Sequence, residues 1–420
     1  MATALEEPAR RPPAAGGAAV EALDALEAAG VALAVLRGAP GRPGGDVDVL
    51  VAPADEQRAR RLLARHGWLA APAAGHGTHR FYVRYDEASG TWHELDVVTR
   101  LDLGPSQAYR TELAGPCLAR RERTGDGPAR LHPQDDFWLR FLHLALKGPE
   151  AAPRLGAPPP GPPEGPAARH VARLLPGGED GLETVLEASR QVDWERVRTA
   201  QRELRSAWRR AEGPAVAARH AVSWVRRRTA PAPGVSLALL GLDGAGKSTV
   251  AARLLADVPW PTVSLYLGVW RESAADHALR HVLGARLLLR LGRLTTTALR
   301  ARYHRALGRV VLLDRHVIDA VLPSPDLDWK GRVTAALVLR TAPDPDRLVF
   351  LDAPAEVVFA RKGELTPDEL ERRRAYYRSL DGRFPQLVTV DATQPLEQVV
   401  REVNALLWSD LQRLVGHERR

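Results

Sequence analysis

One cysteine, one methionine and four lysines in 420 residues leave several chemistries without raw material. Cys117 alone can close no intrachain disulfide and build no thiolate metal cage. Aromatic residues make up only 5% of the chain. No run of 18 uncharged apolar residues occurs, and Leu283–Leu294 is broken by Arg286, Arg290 and Arg293, so no membrane segment is expected. The net charge of +8 comes almost wholly from arginine, because lysine stands only at 147, 247, 330 and 362. Arginine spread over all surface positions reads as coding bias, whereas a nucleic-acid footprint needs basic residues gathered on one face. Acidic phosphorylated small molecules are the expected partners, and nucleic acid is not. The opening MATALEEPARRPPAAGG carries acids and prolines where a secretory leader needs an apolar run, so a cytoplasmic protein is expected.

What is present is punctuation: 35 glycines and 33 prolines divide the chain into segments. Residues 1–18 read as disordered by composition. Residues 19–147 mix helix and strand patterns, with strands at VALAVLRG and DVDVLV, a helix over 55–66, and strands at RFYVRY and WHELDVVT. Residues 148–168 form a Pro/Gly tract expected as a linker or exposed loop. Residues 169–230 read as a helical segment with solvated charged faces. From 231 to 420, strand and helix patterns alternate, including a helix from Asp276 to Leu307 and another around Lys330–Arg340. That alternation predicts an α/β architecture, a parallel sheet with helices on both faces and ligands at the carboxyl ends of its strands.

The sharpest signal is GLDGAGKST, Gly241 to Thr249, placed between the apolar run VSLALL and the helical VAARLLA. The spacing G-x-x-x-x-G-K-[ST] at a strand-to-helix turn is a phosphate-cradling loop. Gly241, Gly244 and Gly246 permit positive φ and close backbone approach, so Asp243, Gly244, Ala245 and Gly246 can turn their amides onto phosphate oxygens. Lys247 would reach the β/γ-phosphates of ATP, the Ser248 hydroxyl would hold Mg²⁺, and Thr249 completes the helix entry. Two more strands on the same rim end in acids: RVVLLDRH at Asp314, followed by Arg315 and His316, and RLVFLD at Asp352. The basic stretch from Arg361 to Arg378 suits a segment that closes over phosphates, because phosphoryl transfer is largely positioning and charge neutralisation.

These residues (GLDGAGKST, the triplet Asp314-Arg315-His316, and LDAPAEVVFAR with RRRAYY) resemble the thymidylate kinase-like branch of the P-loop nucleoside monophosphate kinases, over Leu237 to about Leu407. The resemblance implies a kinase moving the ATP γ-phosphate to a nucleotide or other small acceptor. Lys247 and Ser248 would serve the donor phosphates and Mg²⁺, Arg315 the acceptor or the transferring group, Asp314 the acceptor or a metal-bound water, and Arg361 a lid. It also implies a homodimer. The residues after the triplet read VIDAVLPSP where thymine-reading members carry Ser/Ala-Tyr-Gln, and Arg271-Glu272-Ser273 only partly matches the family's REPGG. The acceptor stays open among nucleotides, sugars and other small molecules. An ATP-binding switch without turnover is an alternative from a different class.

The N-terminal part carries a second pattern. Gly38 ends a strand, and Asp46 and Asp48 follow one residue apart, which puts both carboxylates on one strand face. Asp96 adds a third acid on a later strand, a set that could converge on Mg²⁺. Over roughly Val20–Lys147, these residues and the run HPQDDFWLRFLHLALKG resemble the small-substrate branch of the nucleotidyltransferase superfamily. That resemblance implies an α+β nucleotidyltransferase-like domain, with Gly38 as a phosphate contact, Asp46 and Asp48 at metal, Asp96 at metal or as a base, and a small-molecule hydroxyl as substrate. His93 reads as an exposed strand residue and His143 as a core histidine.

Overall fold

The computed structural model describes residues 17–42, 44–104, 107–123, 125, 127–266, 285–314, 318, 333, 344–363 and 365–417. Arg315, His316, Arg271–Ser273, most of the expected helix at Lys330–Arg340 and nearly all of the expected disordered segment 1–18 lie outside the described residues. The chain forms two compact units. One comprises Met1–Arg84 and His93–Arg228, the other Tyr85–Trp92 and Thr229–Arg420.

Around the first sheet the order is α1 (Ala18–Ala28), β1 (Leu33–Arg37), β2 (Asp46–Val51), α2 (Glu56–Arg65), β3 (Leu69–Ala70), β4 (Arg80–Asp86) and β5 (Thr91–Val98), of which all but Tyr85–Trp92 belong to the first unit. Five helices follow: α3 (Ala114–Ala119), α4 (Pro133–Lys147), α5 (Gly165–Ala172), α6 (Glu179–Arg190) and α7 (Trp194–Thr229). The sheet runs β1-β2-β5-β4-β3, with β2 antiparallel to β1 and parallel to β5. Strand alternation sorts the residues between two cores. Val47, Val49, Val51, Leu95 and Val97 pack with Leu23 and Leu26 of α1 and Leu63 of α2. Leu50 and Val98 face the other way, into a core built on Trp138, Phe141 and Leu142 of α4.

The Pro/Gly tract 148–168 is not an exposed linker: it holds a 3-10 helix, Pro149–Leu155, buries Ala152 and Leu155, and passes into α5 at Gly165. Proline removes an amide but keeps its carbonyl. The buried Gln134 amide of α4 donates to the carbonyls of Pro160 and Pro162, both at 3.1 Å, and so fixes the tract without a ladder. His93 is buried, not exposed, because it sits on the β5 face that packs under the start of α1. A Cβ on Gly17 would come within 3.9 Å of its ring.

The second unit contains β6 (Val235–Leu240), α8 (Lys247–Asp257), β7 (Thr262–Tyr266), α9 (Ala285–Ala306), β8 (Val310–Asp314), β9 (Arg347–Asp352), α10 (Ala355–Lys362), α11 (Pro367–Arg378), β10 (Leu387–Asp391) and α12 (Leu396–His417). Its sheet runs β10-β9-β6-β8-β7, parallel throughout, with helices on both faces. β6 is central, and all six of its residues are buried, as a doubly covered parallel strand requires. Polar anchors hold the amino ends of the strands. Asp346 accepts from the Ser236 amide and hydroxyl, both at 2.8 Å, and Arg347 forks onto Asp410 of α12 at 3.0 and 2.5 Å. The opposite ends are thereby left as the rim on which β6, β8 and β9 stop at Leu240, Asp314 and Asp352. α11 starts at a capped turn: Thr366 accepts from the Glu369 amide at 3.4 Å, and Pro367 fills the first helical position.

Candidate active site

The turn from β6 into α8 uses its glycines for separate purposes. Gly241 has φ +144°, and a Cβ there would lie 2.8 Å from the Leu351 carbonyl oxygen of the neighbouring strand. Gly244, at φ +104°, packs against Val358 and Lys362 of α10, and Gly246, at φ +96°, is the left-handed entry to α8. No L side chain suits such backbone, and the result is a tight loop, closed by the Ala245 amide on the Leu242 carbonyl at 3.0 Å, that delivers the chain into a helix N-terminus.

Lys247 is 6% exposed, and its ammonium sits on the loop's own carbonyls: Gly241 O at 2.5 Å and Leu242 O at 3.0 Å, with Asp243 Oδ1 at 3.5 Å. Ser248 and Thr249 are exposed in the first turn of α8. Asp314, half-buried, ends β8 in register with Leu239 of β6 and Tyr266 of β7. Arg361 reaches the loop from α10, 3.5 Å from the Gly244 carbonyl and 3.5 Å from that of Ala392. The fold therefore gathers Gly241, Asp243, Gly244, Ala245, Gly246, Lys247, Ser248 and Arg361 at one loop, with Asp314 on the same strand-end rim.

Arg374 and Arg378, expected only as part of a basic stretch that closes over phosphates, meet Asp352, while Tyr377 of the same helix reaches Gly241. Arg374 donates to Asp352 Oδ1 through Nε at 2.7 Å and to Oδ2 through Nη2 at 3.1 Å, and Arg378 adds a contact to Oδ2 at 2.7 Å. Burial opposes the charge on Asp352, but these hydrogen bonds outweigh it and hold the carboxyl below its usual range. Tyr377 stacks on Phe350 at 5.0 Å and places its hydroxyl 3.5 Å from the Gly241 carbonyl. The sequence signal was the i,i+4 spacing of Arg374 and Arg378, which puts both on the same helix face.

In the first unit, strand register sets Asp48 beside Asp96 and Asp46 beside Glu94, so four carboxylates share one sheet face. E-L-D thus repeats the spacing of D-V-D, a mark in the sequence that Glu94 belongs with the three aspartates expected here. The protein answers this charge itself. Arg37 lies 3.0 Å from Asp48 and 3.4 Å from Asp46, and His79 Nδ1 is 2.7 Å from Asp96 Oδ2. Burial, opposed by Arg37 and reinforced by Asp96 and Asp46, pushes the Asp48 carboxyl up to about 6. Burial with the neighbouring Asp46, Asp96 and Asp48 pushes Glu94 up to about 7. Among the described residues no group of three or more His, Cys, Asp or Glu is arranged to hold a metal ion. Gly38, at φ +92°, lies tight against the backbone of Asp46 and Val47, and its carbonyl accepts from Arg130 at 3.0 Å. His143 of α4 is half-buried, and burial together with Lys147, Arg37 and His79 disfavours its charged form. The Cys117 thiol is buried, and burial pushes it up to about 12.

A central parallel strand that passes through G-x-x-x-x-G-K-S into a helix, beside strands ending in Asp314 and Asp352, defines a P-loop protein of the α/β class. Comparison with known proteins narrows this. A thymidylate kinase of Xanthomonas euvesicatoria pv. vesicatoria is 31% identical over 214 residues, which span 44% of this chain and 88% of that protein. A thymidylate kinase of Xanthomonas oryzae pv. oryzae is 32% identical over 212 residues, 44% of this chain and 87% of the relative. Over that share of its length the chain belongs to the thymidylate kinase family, which makes it a nucleotide kinase homologue. Among solved structures, a thymidylate kinase from Candida albicans overlaps with 18% identity and a TM-score of 0.36, covering 42% of this chain and 92% of its own. No family model matches the chain. Among the described residues no helix is long and apolar enough to cross a membrane.

Proposed function

We propose that the segment from 231 to 420 is an ATP-dependent nucleoside monophosphate kinase that moves the γ-phosphate of ATP to a phosphate oxygen of its acceptor, with thymidylate as the first acceptor to test. The observation that carries this reading is the seat of Lys247, an ammonium resting on carbonyls at the mouth of α8. Those neutral acceptors are weaker than phosphate oxygens, so a bound triphosphate draws the ammonium onto its β/γ end. The amides of Gly244, Gly246, Lys247 and Ser248 hold the donor, and the positive end of the α8 dipole favours its charge. Ser248 and Asp314 are hard oxygen donors on this rim and fit Mg²⁺, which keeps several waters and takes few protein ligands. When bound, that ion neutralises charge on the donor phosphates.

In the transfer, an acceptor phosphate oxygen forms a bond to Pγ as the bond from Pγ to the β-bridging oxygen breaks and ADP departs. Lys247 and Arg361 offset the charge on the transferring group, and Arg315 is assigned to the acceptor phosphate. Asp314 positions the acceptor. Incubation of the full chain with γ-labelled ATP and a panel of nucleoside monophosphates, sugars and sugar phosphates tests this. Label should pass to a nucleoside monophosphate, with thymidylate leading. Label found only in inorganic phosphate, whatever acceptor is added, would instead support an ATP-binding switch.

For the first unit a second reading, nucleotidyltransferase-like, is supported by the register that places Asp48 beside Asp96. Arg37 and His79 occupy these carboxylates, so the set does not fit a resident metal as it stands. Transfer of label from α-labelled ATP to a small hydroxyl compound, lost in Asp46→Asn/Asp48→Asn, is the expected sign of that activity. The absence of AMP transfer to any acceptor would remove the reading.

A further inference from the structure

The first unit contains a cavity of about 580 Å³ that neither reading uses. Its walls come from the loop after β3 (Ala71–Gly77), from Arg100, Asp102, Gln107 and Arg110, and from α7 between Ala218 and Arg226. Five arginines line it (Arg80, Arg100, Arg110, Arg219 and Arg226) against the single carboxylate of Asp102. The volume lies in the range of small-molecule sites, well above the size of one bare phosphate.

The wall is built, not incidental. Gly75 has φ +76°, and a Cβ there would meet the Ser223 carbonyl of α7 at 2.5 Å, so only glycine lets the loop close on the helix. Arg227 secures that contact from α7 by donating to the Gly75 carbonyl at 3.1 Å. Gln107 is held at φ +48°, an unfavourable backbone for a non-glycine residue. At the floor, the Asp102 side chain is 1% exposed. Arg100 donates to its Oδ2 at 2.6 Å, yet Oδ1 is buried with no hydrogen-bond partner among the described residues. Gln107 Oε1 is in the same condition. Two buried acceptors without donors are costly unless something supplies the donors.

We propose that this cavity binds a hydroxyl-bearing phosphate ester, with its phosphate on the arginines and its hydroxyl groups donating to Asp102 Oδ1 and Gln107 Oε1, independently of the P-loop. The guanidinium groups give charge-assisted, geometrically defined contacts to phosphate oxygens. The buried acceptors separate such an ester from a bare anion, which has no donor to offer them. A concave floor with a carboxylate also fits a small molecule better than a nucleic-acid backbone, which needs an outward basic face.

Calorimetry on the full chain carrying Lys247→Ala, which removes the P-loop's contribution, tests the proposal at about 0.15 M salt. The probes are fructose 1,6-bisphosphate, ADP and inorganic pyrophosphate. One of the two esters should bind, with pyrophosphate roughly tenfold or more weaker. Preference for the bisphosphate assigns a sugar phosphate, and preference for ADP assigns a nucleotide. Adding Arg110→Ala/Arg226→Ala should weaken the ester by about tenfold or more, while Arg202→Ala, an exposed arginine of α7 outside the cavity, leaves it unchanged. Gln107→Leu or Asp102→Asn, each checked for an unchanged melting profile, should erase the ester's advantage over pyrophosphate. The proposal is overturned if neither ester binds, if pyrophosphate binds as well, or if the arginine pair makes no difference. It is also overturned if an oligonucleotide displaces the ester and Arg202→Ala weakens binding as much as the cavity arginines do.

Discussion

Both units place acidic side chains on a five-stranded sheet, and they resolve that charge in opposite ways. In the second unit one carboxylate, Asp352, meets two guanidinium groups and is held below its usual range. In the first unit four carboxylates share one arginine and one histidine, and two of them rise, Asp48 to about 6 and Glu94 to about 7. Strand geometry supplies proximity in both places. The local balance of cations decides whether an acid stays charged, so an aspartate at a strand end says little until its counter-charges are known.

The comparison breaks most sharply on ATP chemistry. Lys247→Ala should reduce phosphoryl transfer by about 10²–10³-fold, the scale for loss of one charge-stabilising donor, while circular dichroism and melting stay unchanged. Asp46→Asn/Asp48→Asn should leave that rate within about twofold of the parent, because those residues belong to the other unit's sheet. A collapse of kinase activity in a folded double variant would mean the two units share one reaction.

Next in size is the ion-pair cluster. Arg374→Ala/Arg378→Ala strands a carboxylate whose side chain is 11% exposed, and should destabilise the second unit by about 3 kcal/mol in denaturant unfolding. Asp352→Asn in that background should recover much of the loss, since no charge is then left unanswered.

A smaller effect has opposite sign in the two units. Asp352 has a depressed carboxyl, so its contribution is present above the usual aspartate range and is lost as pH falls below it. Asp48 has a raised carboxyl, so the native state binds its proton more tightly than the unfolded chain does, and stability falls as pH rises from 3.8 through about 6. With chelator present, Asp48→Asn should therefore raise the melting temperature at pH 7.5 and make no difference near pH 4. An equal gain at both values would remove the charge-crowding account. The smallest change is Arg37→Ala: with the guanidinium 69% exposed, its loss should cost at most about 1 kcal/mol at pH 7.

How much of this was legible beforehand follows from how local each feature is. The loop at Gly241–Thr249 was readable because glycine spacing and the flanking strand and helix lie within one short window, and the residues crowd together as that pattern requires. The Asp352 cluster was not, because its arginines stand 22 and 26 residues downstream and only the docking of α11 brings them back. Burial of the Pro/Gly tract was equally hidden, since it depends on Gln134 and Asp135, two polar residues buried in the first turn of an otherwise largely apolar helix. In the first unit Asp46, Asp48 and Asp96 were legible as a face, but Arg37 and His79 were not legible as their partners, for they arrive from the preceding strand and from a loop.

Calorimetric titration of Mg²⁺ and ATP into the full chain tests the division of labour between the two units most directly. Magnesium-dependent ATP binding should vanish in Lys247→Ala and persist in Asp48→Asn/Asp96→Asn. Binding that survives the first substitution and disappears with the second would move nucleotide recognition to the carboxylate face and contradict the kinase assignment.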